Sequence, residues 1–107
     1  MIFMNNCLNS LSKVSSLLQF AYCAKKLVFG ESVIVNMMLS KVKVMVLATD
    51  VSSSQEKKYL AKAEYYKVKV ICIYSKSELG DLFSKNEVAC VGLLDHNMAE
   101  QIIKLTK

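Results

Sequence analysis

The chain has 107 residues, of which 53% are apolar and 21% charged, with a formal net charge of +5. That size and balance fit one globular domain with its own core and exclude a disordered or multidomain chain. All the positive charge is lysine; with no arginine in the sequence, bidentate reading of guanine edges is excluded, and any nucleic-acid partner would have to be met by lysine–phosphate contacts, backbone groups and shape. A merely soluble, lysine-coated surface accounts for the charge equally well.

Asn5 to Ala24 reads as a helix, with Leu8, Leu11, Val14, Leu18 and Ala21 recurring on one face and Lys25-Lys26 closing it. Leu27 to Phe29 is a brief edge strand. Gly30 follows, and a second helix runs from Glu31 to Ser40 with Val33, Ile34, Met37 and Met38 expected on its buried side. Val42 to Ala48 reads as a strand covered on both faces. Ser53 and Glu56 have capping-box spacing at the start of a third helix reaching about Lys67. Its inward residues are expected to be Tyr59, Leu60, Ala63 and Tyr66, with Lys57, Lys58 and Lys62 opposite. A strand over Val68 to Tyr74, a short helix from Lys76 to Phe83 entered through Ser75 and Glu78, and a buried strand over Val88 to Leu94 follow. Asp95 is placed to cap a last helix. The alternation predicts an α/β fold, a three-layer α/β/α sandwich with one sheet between helical layers.

The chemistry-bearing residues are sparse. Cys7, Cys23, Cys72 and Cys90 form no CxxC pair, and with His96 as the single histidine they make no zinc-ligand spacing, so no metal and no cofactor are expected. Cys72 and Cys90 lie in apolar runs and read as small hydrophobes, which suits a reducing cytoplasm. No signal peptide is legible, and no apolar run approaches a membrane span. Ser52-Ser53-Ser54 belongs to neither a nucleophile elbow nor a phosphate loop and reads as a helix entrance. His96 has no matching nucleophile. Asp50, at the carboxyl end of a central strand, sits where open α/β sheets bind ligands, but it reads more simply as a turn cap. No acid–base pair accompanies it, so no enzyme is expected, although a small enzyme using that edge stays as a third reading.

The corner around Leu27 to Val33 is the most informative stretch. A glycine between strand and helix permits φ > 0, and the helix after it begins with N–H groups lacking intrahelical partners. Such a corner can receive a phosphate or a base edge. Lys25, Lys26, Lys57, Lys58 and Lys62 flank the elements bounding it and would form a basic rim if they converged. Gly80, in a short helix, is placed to let another backbone approach.

Several blocks carry a resemblance. Leu17 to Glu31, Val46-Leu47-Ala48-Thr49-Asp50, Ala63-Glu64-Tyr65-Tyr66, Glu78-Leu79-Gly80 and Val88 to Asp95 occur in the same order as in the bacterial YlxQ-like proteins. These are members of the ribosomal protein L-seven-Ae / L-thirty-e family of kink-turn RNA binders, and the likeness covers residues 17–106. It implies a mixed four-stranded sheet in the sandwich and one RNA-binding domain over residues 1–107. It also implies a cytoplasmic, monomeric, non-enzymatic protein that clamps structured RNA, with ribosomal RNA a candidate, and engages neither membrane nor DNA. The resemblance places the contact at Gly30 to Asn36 and Lys85 to Val88, with Lys26, Gly30, Glu31, Ser32, Asn36, Asp50, Ser52, Lys85, Asn86 and Val88 as its residues. The chain departs from the family's G-x-N-E-x-x-K pattern at Ser32, Val33 and Asn36, and from L-G-x-x-x-G at Ser84. Those departures motivate a rival reading, a protein-interaction module that kept the fold and lost RNA binding.

Overall fold

The computed structural model describes the backbone of residues 2–106 and the side chains of residues 12–106. Five helices and four strands alternate: α1 (Ile2–Cys23), β1 (Leu27–Phe29), α2 (Glu31–Met38), β2 (Val44–Leu47), α3 (Ser53–Tyr65), β3 (Lys69–Ile71), α4 (Lys76–Leu82), β4 (Cys90–Leu93) and α5 (His96–Leu105). The strand order is β1-β4-β2-β3, with β2 parallel to β3 and antiparallel to β4, and β1 antiparallel to β4. The sheet is therefore mixed, and the sandwich is three-layered as expected.

The two central strands are buried throughout, because helices cover both faces. Alternation then assigns the cores. Val44 and Val46 of β2, with Val91 and Leu93 of β4, meet Val14, Leu18 and Ala21 of α1, Leu79 of α4, and Ala99 and Ile102 of α5. Met45, Leu47 and Cys90 point the other way, onto Val33, Ile34 and Met37 of α2 and Tyr59 and Ala63 of α3. The expected apolar positions Leu8 and Leu11 lie outside the described side chains, as does Cys7. No described helix is long and apolar enough to cross a membrane.

Some expectations at the margins of the helices are corrected. Met38 and Leu60 are 59% and 40% exposed, since each falls at the edge of its helix's apolar stripe, past the last contact with the sheet. Cys72 is exposed because β3 is an edge strand that ends at Ile71. The cap of α3 is Ser52, whose hydroxyl accepts from Gln55 N–H at 3.3 Å, not Ser53. The capping box of Ser75 and Glu78 and the Asp95 cap are observed.

Four helices end in the same way. After α1, α2, α3 and α4 come Lys25, Ser40, Lys67 and Ser84, with φ of 61°, 59°, 57° and 58°. Each is followed by an N–H that reaches back five residues: Lys26 to Ala21 O, Lys41 to Asn36 O, Val68 to Ala63 O and Lys85 to Gly80 O, all at 2.8–2.9 Å. These are Schellman closures built without the usual glycine, and each places an L-residue in the left-handed region.

Candidate nucleic-acid interface

Gly30 is the N-cap of α2 and has φ +56° and ψ −127°, a conformation natural only to glycine. A Cβ there would meet nothing within 4 Å, so the residue is required by backbone geometry, not by crowding. Its N–H is tied to Cys90 O at 3.1 Å, and its carbonyl accepts from Val33 N–H at 2.9 Å. The first turn of α2 therefore presents the N–H groups of Glu31 and Ser32 as its open donors, at the positive end of the helix dipole.

The 85–88 loop stands beside this corner and is held by α4. Asp50 Oδ1 accepts from Lys76 N–H at 2.8 Å, Val88 N–H donates to Lys76 O at 3.1 Å, and Lys85 N–H donates to Gly80 O at 2.9 Å. Gly80 lets the loop lie against the helix: a Cβ there would stand 2.6 Å from Lys85 O and 2.8 Å from Asn86 O. Lys85 then extends its ammonium over the Phe29 ring, 5.0 Å from the centroid. Phe29 is packed edge-to-face with Tyr22 (5.5 Å) and Phe83 (5.3 Å), and these two with each other (5.2 Å). The residue preceding Gly30 and the loop before β4 thus share one aromatic support. On the other side Lys58 of α3 forms an ion pair with Glu31.

The structure sorts the sequence-derived residues. Gly30, Glu31, Ser32, Lys85 and Asn86 come together at one end of the sheet. Asn36 sits one turn further along α2, where its amide donates to Ser32 O at 2.8 Å. Ser52 caps α3, and Asp50 accepts from the N–H of Lys76, the first residue of α4, a structural role at the loop after β2. Val88 is 6% exposed and lies in the core on the α1 side, so its side chain is not presented to a base. Val33 is wholly buried, with Cγ1 3.1 Å from where a Gly92 Cβ would stand. Lys25 and Lys26 do not join the rim. They precede β1 whereas Gly30 follows it, about 13 Å of extended chain away from Lys26. Of the rim lysines only Lys58 is tied to the corner. The sequence reading missed Lys58's ion pair and the Tyr22–Phe29–Phe83 cluster; the Phe29-Gly30 adjacency was the available signal for the latter.

No catalytic set is assembled among the described residues. His96 pairs with Glu100 at 3.1 Å on an exposed helix face. Burial pushes the Cys90 thiol far up, and desolvation, with Glu56 as a second cause, raises Cys72, so neither is a poised thiolate. Among the described residues no three His, Cys, Asp or Glu side chains gather to hold a metal ion.

The sandwich thus ends, at the Gly30 corner, in open backbone donors beside Lys58 and Lys85. Residues 12–103 match the family model of the Ribosomal protein L7Ae/L30e/S12e/Gadd45 family, and the chain belongs to that family. It is 32% identical over 90 residues to RNA-binding protein YlxQ of Bacillus subtilis (strain 168), covering 83% of this chain and 90% of that protein. Among solved structures it is similar to a Bacillus halodurans protein of unknown function (26% identity, TM-score 0.82, 87% of this chain and 95% of that one). The fold is also that of a Giardia lamblia 15.5kD RNA binding protein (14% identity, TM-score 0.75, 92% and 85%). The chain is accordingly a YlxQ-like member of a family of binding proteins, and not an enzyme.

Proposed function

We propose that the chain is a cytoplasmic, monomeric protein that binds structured RNA of the kink-turn kind, with ribosomal RNA as its target. The observation carrying this reading is the shared corner: the open N–H groups of Glu31 and Ser32 beside a loop that holds Lys85 and Asn86 at the same end of the sheet. Backbone donors approach base edges or phosphates without needing arginine, and the lysines supply phosphate contacts. Gly30, Glu31, Ser32, Asn36, Lys58, Lys85 and Asn86 would line the contact, with Asp50 and Ser52 holding the helices that shape it. The family relationship to an RNA-binding protein supports the reading.

The test is a titration with a kink-turn duplex beside the same duplex with its sheared G·A pairs replaced by Watson–Crick pairs. Selective binding to the first, weakening steeply with salt, is the expected result. Equal weak binding to both would refute kink-turn recognition. It would favour the interaction-module reading, which draws on a specific feature of α2: Val35, Met38 and Leu39 are 54–59% exposed.

A further inference from the structure

The strongest concentration of positive charge lies at the end of the sheet away from Gly30. Lys25, Lys26, Lys41 and Lys43, with Ser40 and Leu94, line a hollow of about 380 Å³. The sheet brings these segments together: Lys43 N–H donates to Leu93 O and Leu94 N–H to Lys26 O, both at 2.8 Å. Lys67 and Lys69 open β3 at this same end, since Lys69 is in register with Val44.

These lysines are not needed to close the helices beside them. The ends of α1 and α2 are completed by backbone bonds, from Lys25 and Lys26 to Tyr22 and Ala21 and from Ser40 and Lys41 to Met37 and Asn36. Among the described residues none of the four lysines has an ion-pair partner, and the side-chain bond at the hollow is Lys43 Nζ to Ser40 O at 3.5 Å. The acid next in chain, Asp95, accepts from Met98 N–H at 2.9 Å. Two helix C-termini contribute about half a negative charge each; with Asp95 they leave the four ammonium groups in excess. Four like charges around one hollow repel one another until an anion enters.

We propose that this hollow is a second phosphate-binding site, which takes backbone phosphates of the RNA held at the Gly30 corner. The chain would then grip one RNA at both ends of the sheet, the Gly30 end reading shape and the lysine end adding charge. The inference rests on the RNA-binding reading.

The experiment compares the wild type with K25Q/K26Q/K41Q/K43Q, after thermal unfolding shows both folded, on a kink-turn RNA with one long helical arm and on its Watson–Crick-repaired counterpart. Binding is measured from 50 to 300 mM salt. Each engaged lysine should contribute about one unit to the slope of log K against log salt. The variant should therefore lose two to four units of slope and about tenfold or more in affinity, while its preference for the kink-turn is unchanged. A slope unaltered by the four substitutions overturns the second site and leaves the kink-turn reading standing. A lowered slope without kink-turn preference in the wild type supports the lysine site and refutes the kink-turn. Failure of the wild type to bind either RNA overturns both.

Discussion

Replacing Gly80 by alanine sets two effects of opposite sign against each other. Gly80 lies inside α4, where intrinsic propensity alone would make alanine more stable by about 1 kcal/mol. The new Cβ, however, would stand 2.6 Å from Lys85 O, 2.8 Å from Asn86 O and 2.9 Å from Asn86 C. All three are backbone atoms, so no side chain can swing aside. The 85–86 loop would have to retreat by about 0.8 Å to restore a 3.4 Å contact. That motion strains the bond from Lys85 N–H to Gly80 O and the one from Val88 N–H to Lys76 O. Overpacking of this kind costs about 1–3 kcal/mol, and a backbone obstacle puts it at the upper end. Gly80→Ala should therefore be less stable than the wild type by about 2 kcal/mol in urea unfolding followed by circular dichroism. It should also bind the kink-turn RNA more weakly, because Lys85 and Asn86 are displaced. A variant as stable as the wild type, or more so, would show that propensity governs this position and that the loop is not braced by α4.

Gly30→Ala should also destabilise, by about 1–3 kcal/mol, through φ +56° with ψ −127° and not through contact, as calorimetry would register. Ser84→Gly and Lys67→Gly relieve left-handed strain at Schellman positions, so each should raise stability by about 0.5–1 kcal/mol in chemical denaturation, and a loss would contradict the closures described. Burial raises the Cys90 thiol above its ordinary value, so the folded state keeps a proton that the unfolded chain releases above about pH 9. Stability is then fully present below that pH and should fall by about 1.4 kcal/mol per pH unit above it on account of Cys90 alone; Cys90→Ala should flatten that slope. The same burial predicts that Cys90 resists maleimide at pH 7.5 until the protein unfolds, which mass mapping of the labelled cysteines would check.

The alternation of apolar periodicities made the sandwich legible, and the capping residues at Ser75, Glu78 and Asp95 gave true helix entrances. What escaped was set by neighbours distant in sequence. Met38 and Leu60 carry the right spacing for their helices, but only the placement of the sheet decides how wide the covered stripe is. Three consecutive serines left the α3 cap ambiguous by one residue. The four Schellman closures were invisible because lysine and serine do not advertise a left-handed backbone. Lys26 stands apart from the Gly30 corner for a geometric reason: it is close to Gly30 in sequence, yet the strand between them carries the two to opposite ends of the sheet.

That same geometry explains how one short chain can offer two different surfaces. In this fold β1, β2 and β3 all begin at one end of the sheet, and the helices that precede them, α1, α2 and α3, all finish there. Lysines placed just before strands, at Lys25, Lys26, Lys41, Lys43, Lys67 and Lys69, are thereby gathered without being adjacent in sequence. The loops that leave the strands gather at the other end and carry Glu31, Asp50 and Glu56 alongside their lysines, so that end is nearly balanced in charge. A balanced end with fixed backbone donors suits recognition of shape, since attraction to any polyanion is weak there. A lysine end without arginine suits attraction with little selectivity. Transferring charge between the ends separates the two roles. Glu31→Gln frees Lys58 at the Gly30 corner and should raise affinity for kink-turn and repaired RNA alike. Selectivity, the ratio of the two affinities, would then stay unchanged as binding tightens. An increase confined to the kink-turn RNA would show instead that the Glu31–Lys58 pair holds Lys58 away from a specific contact.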